Sequence, residues 1–487
     1  MKKYYITTPL YYVNYKPHIG HAYTTLAADI LSRHLKSKGV KVFFQTGTDE
    51  HGGNIEKTAA AHNVEPKQWT DDVTREFKDM WKTLGIEYDY FIRTTDENHK
   101  KQVQLIFEKM IASGDIYPGN YQGLYCSSCE NFLDESELVE GKCPVHKKEP
   151  ERINEESYFF RLSKYEQPLL KHYMENPSFL SPDYRANEII KFVESGLKDI
   201  SVSRTKVSWG IPVKSNPKHT IYVWIDALTN YITGPGFDLE KETDSFREIW
   251  PADIHLMGKE IYRFHAVIWP AMLMSLGLPL PKKVYAHGWW TVEGEKMSKS
   301  RGNIIDPRDM VREYGLDAFR YFIFREVPFG QDGDFSLEAF RRRYNSELAN
   351  DLGNLFSRTI NMINKYLDCD MPEKPENSEL FSKLLASRKE IDSDMENLQF
   401  SSALDRIWKN ISALNKEVDS RKPWEMAKTD PEKLKKFLHE MVWCLRLISS
   451  WISPFMPDTA AKMLMHLAVA DPLKEKKKVE PIFPRKQ

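Results

Sequence analysis

The runs Tyr4-Tyr5-Ile6-Thr7-Thr8 and Pro17-His18-Ile19-Gly20-His21 decide the fold of the first part of the chain. The first run is rich in β-branched and aromatic residues and predicts a strand. After it, apolar residues recur at helical spacing and predict a helix, namely Ile19, Tyr23, Leu26 and Ile30. A second strand is predicted at Val40-Lys41-Val42-Phe43-Phe44-Gln45. Strands and helices that alternate in this way indicate a parallel α/β sheet.

The turn between the first strand and its helix carries His18, Gly20 and His21. The first N–H groups of a helix lack intrahelical partners and carry partial positive charge, so they suit an anionic phosphate. Gly20 has no side chain to obstruct a nucleotide, and the two imidazoles lie on one helical face, where they can donate to phosphate oxygens. We therefore predict phosphate binding at this turn, although two histidines at a helix start are also compatible with an ordinary structural role.

A second basic motif reads Lys296-Met297-Ser298-Lys299-Ser300 and lies between Gly294 and Arg301-Gly302-Asn303. The flanking residues are typical of a loop, on which the lysines at 296 and 299 can close over a triphosphate. The alternative is a solvated basic loop. No G-x-x-x-x-G-K-[ST] run is present, which argues against a P-loop.

With both motifs, HIGH and KMSKS, matched letter for letter, the chain resembles the class I aminoacyl-tRNA synthetases. The resemblance implies a Rossmann-like domain that activates an amino acid with ATP and Mg²⁺ and transfers it to the terminal adenosine of tRNA. It implies that His18 and His21 stabilise charge on the phosphates, while Lys296 and Lys299 hold the departing pyrophosphate. Such electrostatic stabilisation is most of what phosphoryl-type transfer needs. Gly258 and Glu260, in a later loop after a strand, are candidates for the adenosine ribose.

The fold class we predict is α/β, with a parallel-sheet catalytic domain split by an insertion and followed by an α-helical bundle. Buried strands are predicted at Ile221-Tyr222-Val223-Trp224-Ile225 and Ile254-His255-Leu256-Met257, whereas Leu348, Leu352 and Leu355 begin a pattern with helical spacing. The predicted segments are the first catalytic half at 1–115, the insertion at 116–220, the second half with the KMSKS region at 221–336, the helical anticodon-binding domain at 337–470 and a basic tail at 471–487.

The composition is that of a soluble globular protein. Of the 487 residues, 41% are hydrophobic and 29% are charged, and the formal net charge is -1. No run of about 18 apolar residues and no signal peptide is present, so we predict a cytoplasmic protein without membrane contact. A net charge near zero does not exclude a nucleic-acid partner, because phosphate contacts need only a local excess of Lys and Arg.

Three of the five cysteines lie in the insertion, in the pattern Cys126-x2-Cys129-x13-Cys143-x2-His146. Three thiolates and an imidazole at this spacing match the tetrahedral Cys3His site that zinc prefers. Because all four ligands would come from the protein, we predict one structural zinc ion within residues 126–146. The alternative is a chance cluster of three cysteines and a surface histidine.

The insertion is too short for the hydrolytic editing domain of the isoleucine, valine and leucine enzymes, which leaves methionine and cysteine. The cysteine enzyme takes its zinc ligands from around the catalytic pocket, whereas here they are clustered. The resemblance therefore extends to the methionine-specific enzymes. It implies that Asp49 binds the substrate ammonium, while Glu50 and His51 are either capping or structural. It also implies that the thioether lies among Leu10, Tyr12, Trp224, Ala227, Leu228, Tyr231, Ile261 and His265, which taken only as residues near strands would more often be core.

In the helical third, Asn354 and Arg358 share one helix face, and Trp424 follows a proline next to a loop. The resemblance implies that these three residues read the CAU anticodon of initiator and elongator tRNA(Met); in isolation they read as a polar helix face and a buried tryptophan. We predict a monomer, and a separate tRNA-binding chain remains open. The alternatives are another class I synthetase, such as the cysteine-specific enzyme, or a non-catalytic tRNA-binding relative.

Overall fold

The computed structural model of the chain describes residues 3–126, 131–133, 135–144, 147–292, 294–296, 305–367, 375, 378–467 and 480–486. Contacts divide the chain into two compact units. The first comprises Met1–Ala28, Gly39–Lys82 and Ile86–His287, and the second comprises Asp29–Lys38, Thr83–Gly85 and Gly288–Gln487. Within the described residues, no helix is long and apolar enough to cross a membrane.

The first unit is built around a parallel sheet with the strand order β3-β2-β1-β12-β13-β7. Its carboxyl edge brings together Tyr12, Asp49, Gly258 and His287, where an open α/β sheet holds its ligands. The strands of this unit are β1 (Tyr4–Tyr12), β2 (Val42–Asp49), β3 (Tyr90–Arg93), β4 (Ile116–Cys126), β5 (Asn131–Leu133), β6 (Glu151–Phe160), β7 (Leu180–Ser181), β8 (Ile200–Ser201), β9 (Ser203–Arg204), β10 (Pro212–Val213), β11 (Asn216–Ile221), β12 (Ile254–Gly258) and β13 (Val284–His287).

The predicted helix after the first strand is confirmed, and its apolar residues, from Ile19 to Ile30, are buried. The predicted strand at 221–225 is wrong, because β11 ends at Ile221 and a helix begins at Val223. A short apolar run does not distinguish a buried strand from a helix buried on all sides. The helices that begin in this unit are α1 (Ile19–Ser37), α2 (Gly53–Ala61), α3 (Pro66–Thr83), α4 (Glu97–Ala112), α5 (Glu166–Glu175), α6 (Asp183–Glu194), α7 (Val223–Thr233), α8 (Asp244–Ile249) and α9 (Trp269–Leu276).

The predicted insertion, residues 116–220, forms strands of its own. One antiparallel sheet has the order β5-β4-β6-β8, and a smaller one has the order β10-β11-β9. The same stretch also supplies β7, which pairs in parallel with β13 and so completes the edge of the main sheet. The insertion therefore contributes to the catalytic sheet as well as interrupting it.

The second unit is mainly helical, as predicted for the last third of the chain. Its longest segment begins at Gly288, so residues 288–336 group with the helices. The aromatic side chains of Trp290, Phe322, Phe335 and Phe340 lie together and explain this grouping. The elements are β14 (Trp290–Val292), β15 (Glu295–Lys296), β16 (Gly333–Phe335), α10 (Pro307–Tyr314), α11 (Leu316–Arg325), α12 (Leu337–Arg343), the π-helix Tyr344–Gly353, α13 (Asn354–Tyr366), α14 (Glu379–Ala386), α15 (Arg388–Glu396), α16 (Phe400–Arg421), α17 (Pro423–Thr429), α18 (Pro431–Ile452) and α19 (Pro457–Leu467).

Candidate functional site

The turn from β1 into α1 orients both histidines through its own backbone. The N–H of Gly20 donates to Nδ1 of His18 (3.1 Å), and the N–H of His18 donates to Nδ1 of His21 (3.2 Å). Because each Nδ1 accepts a hydrogen bond, each neutral ring carries its proton on Nε2. The two ring centroids lie 4.0 Å apart, so the two Nε2 donors belong to one compact cluster at the helix start.

His21 packs against the aromatic rings of Tyr11 (5.1 Å between centroids) and Phe77 (5.3 Å). Desolvation in this environment, together with the nearby His18 ring, lowers the pKa of His21 well below 6.5. His21 is therefore a neutral donor at pH 7. Gly20 has a second role that the sequence did not reveal, because a Cβ at this position would lie 2.9 Å from Cε1 of His18.

Asp49 ends β2 and lies opposite Tyr12 in the register of β1 and β2. The next residue, Glu50, is buried and accepts hydrogen bonds from Arg93 (2.6 Å) and Thr74 (2.8 Å). Of the two readings left open for Glu50, this pairing supports the structural one. The same bonds hold the end of β2 against its neighbours, so Asp49 lies at a braced strand end on the carboxyl edge.

His51 is also a structural residue, bound by a carboxylate that the sequence did not single out. Its Nδ1 lies 2.6 Å from Oδ2 of Asp226, whose other oxygen lies 2.8 Å from Nε2 of His99. Burial alone raises the pKa of Asp226, but His51 and His99 outweigh that effect and hold the pKa below its ordinary value. This cluster ties the loop after β2 to α7 and α4. The sequence does not predict it, because its members are far apart along the chain.

Tyr231 and His265 are brought together as a hydrogen-bonded pair. Nδ1 of His265 donates to the carbonyl oxygen of Ile261 (2.9 Å), so Nε2 accepts from the Tyr231 hydroxyl (2.7 Å). Burial lowers the pKa of His265 to about 4, and burial likewise raises the pKa of Tyr231. Both groups are neutral at pH 7. The Tyr231 carbonyl oxygen also accepts from the Tyr5 hydroxyl (3.0 Å), which anchors α7 to β1.

Trp224 stacks face to face on Phe264, with 3.8 Å between ring centroids, and its edge faces His265 at 6.2 Å. Ala227 and Leu228, on the same helix, are buried, whereas Leu10 at the end of β1 is partly exposed. The structure thus joins Trp224, Tyr231, Ile261 and His265 in one wall. Leu10 and Tyr12 lie at the carboxyl end of β1.

Gly258 is the last residue of β12 and not part of a loop after it, whereas Glu260 follows the strand in the short 3-10 helix Lys259–Ile261. A Cβ on Gly258 would lie 2.4 Å from Oε2 of Glu260, so the glycine is required for the position of that carboxylate. Glu260 itself is exposed.

A cavity of about 230 Å³ beside His51 and Gly52 is lined by Arg204 and Trp209, which no sequence pattern singles out. Arg204 is buried, and its guanidinium lies over the rings of Tyr222 (4.6 Å) and Tyr125 (5.0 Å). The indole N–H of Trp209 donates to the carbonyl oxygen of Glu50 (2.5 Å). Arg204 ends the short strand β9 and belongs to no recognisable motif, so the sequence gives no signal for this cavity.

In the second unit, Asn354 is exposed and Arg358 is about one-third exposed. The Arg358 guanidinium donates to Oδ1 of Asp419 on α16 (2.8 Å). The Trp424 side chain is 43% exposed, which is high for a tryptophan. It follows Lys422, whose positive φ of 46° turns the chain sharply from α16 into α17.

Three of the predicted site residues, Lys299, Cys129 and His146, lie outside the described residues. Lys296 ends β15. Cys126 and Cys143 are both buried in a small cluster with Leu124 and Leu133. Two thiols that share one small core fit the thiolate part of a Cys3His zinc site.

Comparison with known proteins agrees with these features. Residues 4–155 and 134–360 match the family described as tRNA synthetases class I (M), and residues 371–481 match the anticodon binding domain of methionyl tRNA ligase. The chain belongs to the methionyl-tRNA synthetase family.

Relatives in this family align over almost the whole chain. The methionine–tRNA ligase of Caldanaerobacter subterraneus subsp. tengcongensis is 52% identical over 97% of this chain and 75% of its own length. That of Thermotoga maritima is 48% identical over 97% of this chain and 76% of its own length. The structure of Mycobacterium tuberculosis methionyl-tRNA synthetase bound by methionyl-adenylate is 40% identical, covers 99% of this chain and 100% of that one, and has a TM-score of 0.92.

Proposed function

We propose that the chain activates methionine with ATP to form methionyl-adenylate and then transfers the methionyl group to tRNA(Met), both initiator and elongator. The observation that carries this proposal is the neutral Tyr231–His265 pair beside Trp224, in the unit that also holds the His18–His21 turn. A pocket wall of uncharged aromatic groups suits a thioether, because sulfur favours contact with aromatic rings. The relatives in the family bear the same activity in their names.

In the activation step, a carboxylate oxygen of methionine attacks the α-phosphorus of ATP, and the bond to the pyrophosphate oxygen breaks. The Nε2 protons of His18 and His21 donate to phosphate oxygens on which negative charge increases. Lys296 and Lys299 hold the pyrophosphate, which leaves together with Mg²⁺. Donors that are already oriented, as these rings are by backbone bonds, stabilise the transition state without reorganisation.

Substrate selection depends on one charged group and a neutral pocket. Asp49 binds the ammonium of methionine, and Gly258 and Glu260 contact the adenosine ribose. Because His265 is neutral at pH 7, the pocket presents no positive charge to the thioether. The residues proposed around the side chain are Leu10, Tyr12, Trp224, Ala227, Leu228, Tyr231, Ile261 and His265.

In the transfer step, a ribose hydroxyl of the terminal adenosine attacks the carbonyl carbon of the adenylate, and AMP leaves. Asn354 and Arg358 hydrogen-bond to anticodon bases, and Trp424 stacks on one of them. The exposure of Asn354 and Trp424 supports this role, since both are accessible to RNA. We propose that the chain acts as a monomer, and a separate tRNA-binding chain is compatible with this scheme.

Cys126, Cys129, Cys143 and His146 would hold one structural zinc ion. Four protein ligands leave no open position, so the ion would stabilise the insertion and take no part in the reaction. The burial of Cys126 and Cys143 in one cluster supports this proposal. Mass spectrometry of the native protein would detect one zinc ion per chain, and zinc-free protein at neutral pH would contradict the site.

The experiment that tests the function is exchange of pyrophosphate into ATP, measured with each amino acid in turn. Methionine is expected to support exchange, followed by charging of tRNA(Met). Exchange with cysteine and not with methionine would instead assign the cysteine-specific activity. Binding of tRNA without exchange for any amino acid would identify a non-catalytic relative.

A further inference from the structure

The carboxyl-terminal residues 480–486, here called the C-terminal strap, fold back onto the π-helix that precedes α13. The Tyr344 hydroxyl donates to the carbonyl oxygen of Pro484 (2.9 Å). Asn345 makes a reciprocal pair with Lys486, donating from Nδ2 to the carbonyl oxygen (2.9 Å) and accepting from the backbone N–H (3.0 Å). The strap is therefore hydrogen-bonded to the first two residues of the π-helix.

Side chains extend this contact along the helix. Phe483 is 7% exposed, and its ring centroid lies 5.9 Å from that of Tyr344. The guanidinium of Arg485 donates to Oδ1 of Asn350 from both Nη2 (2.6 Å) and Nε (3.2 Å). The strap thus contacts the π-helix at its beginning and again one to two turns later.

The π-helix Tyr344–Gly353 has a wider turn than an α-helix and is ten residues long. At its end, the N–H of Asn354 still donates to the carbonyl oxygen of Ala349, five residues back. Such turns are rare and usually short, so a long one needs support from outside the helix. On α16, Trp408 donates to the carbonyl oxygen of Glu347 (3.3 Å), and Asn415 donates to that of Asp351 (3.2 Å). The strap supports the π-helix at three other residues, Tyr344, Asn345 and Asn350.

Whether residues 344–353 keep their π-helical register decides which face of α13 points outward. An α-helix turns by about 100° per residue, so a change of one residue in register rotates everything beyond it by that angle. Asn354 and Arg358 are the residues that such a rotation would displace. Gly353 lies at the junction, where a Cβ would lie 3.0 Å from the carbonyl oxygen of Leu348 and 3.9 Å from Phe483.

We propose that the C-terminal strap is a positioning element for anticodon recognition, which holds the π register and so fixes the face on which Asn354 and Arg358 meet the RNA. This inference rests on the proposed role of those two residues. The strap's hydrogen bonds described above are all with the π-helix, and none of its residues is among those proposed for activation. Its loss is therefore expected to affect anticodon binding and to leave activation unchanged.

The test uses the full chain and an RNA hairpin that carries the CAU anticodon loop. Phe483→Ala combined with Arg485→Ala removes the strap's side-chain contacts. Glu480→Ala, an exposed position in the same segment, is the matched control. We expect the Kd for the hairpin to rise at least about tenfold in the double variant, from the lost contacts, and to stay within twofold in the control. Discrimination against a hairpin with one altered anticodon base should fall as well.

Two further measurements decide between positioning and simple folding. Methionine-dependent pyrophosphate exchange should be unchanged in the double variant, and Phe483→Leu, which keeps an apolar side chain, should retain hairpin binding. Loss of exchange together with hairpin binding would overturn the proposal in favour of a general folding role.

Asn354→Ala serves as the reference for the proposed function: if it weakens hairpin binding while the strap variant does not, the positioning role is wrong and the anticodon role stands. If Asn354→Ala and Arg358→Ala both leave binding unchanged, the anticodon role fails, and this inference fails with it.

Discussion

The proposed methionine pocket of the first unit and the proposed anticodon face of the second differ most in their exposure to water. Tyr231 and His265 are 1% and 2% exposed, and each satisfies the other's hydrogen bond. Trp424 is 43% exposed, and Asn354 is also exposed. In the pocket, removal of one group leaves a buried partner unsatisfied, which costs more than the bond itself contributes. On the anticodon face, water replaces a lost partner, so single changes should have smaller effects.

The largest effect is expected in the activation reaction and not in anticodon binding. Lys299→Ala should reduce methionine-dependent pyrophosphate exchange by roughly 10² to 10³, the scale for losing one transition-state donor. Hairpin binding by the anticodon face should remain normal. Lys241→Ala, at an exposed position of the first unit, is the control for loss of a lysine. Near-normal exchange in the Lys299 variant would contradict the proposed role of Lys299 in holding the pyrophosphate.

The second expected effect concerns the buried histidine of the pocket. In the folded chain the pKa of His265 is lowered from 6.5 to about 4. Between these values the unfolded chain binds a proton that the folded chain does not, so the free energy of unfolding falls as the pH falls through this window. The contribution of this one group is up to roughly 3 kcal/mol.

Urea unfolding of the intact chain at several pH values between 4 and 7 would measure this dependence. His265→Asn should reduce the slope of unfolding free energy against pH, by an amount that corresponds to at most one fewer proton bound on unfolding. His62→Asn, which changes an exposed histidine, should keep the slope of the unaltered chain. Equal slopes for all three proteins would mean that burial of the pocket histidine does not shift its titration.

The smallest effect is expected on the anticodon face. Trp424→Ala should weaken binding of the CAU hairpin by roughly 1 to 3 kcal/mol, the range for one lost base stack. Exchange should be unaffected, because Trp424 is not among the groups proposed to act in activation. Trp424→Phe keeps a ring and should retain most of the affinity. If the alanine variant also loses exchange, Trp424 supports folding and the two regions are less independent than their exposures indicate.

Local patterns were sufficient for several elements of the fold. The helix from Ile19 was predicted because its apolar residues recur at helical spacing next to a strand, and the last third was predicted as helical for the same reason. The apolar run at 221–225 predicts a strand, but a helix begins at Val223. Four of its five side chains are buried and the fifth, Trp224, is partly buried, so periodicity does not distinguish the two. The π-helix Tyr344–Gly353 was not predicted, since its apolar residues fit an α-helical pattern nearly as well.

The sequence by itself determined the chemistry that the chain offers: two histidines at a helix start, two lysines in a loop, and aromatic residues near strands. Each of these depends on residue type and on short spacing, which are properties of the sequence and do not depend on the tertiary structure. Only the tertiary structure decided which of these groups are neutral and which are braced. The Asp226 carboxylate between His51 and His99, the Tyr231 hydroxyl on His265 and the strap on the π-helix join residues far apart in sequence. Protonation and position depend on such long-range neighbours, because burial and partners set a pKa and fix a side chain.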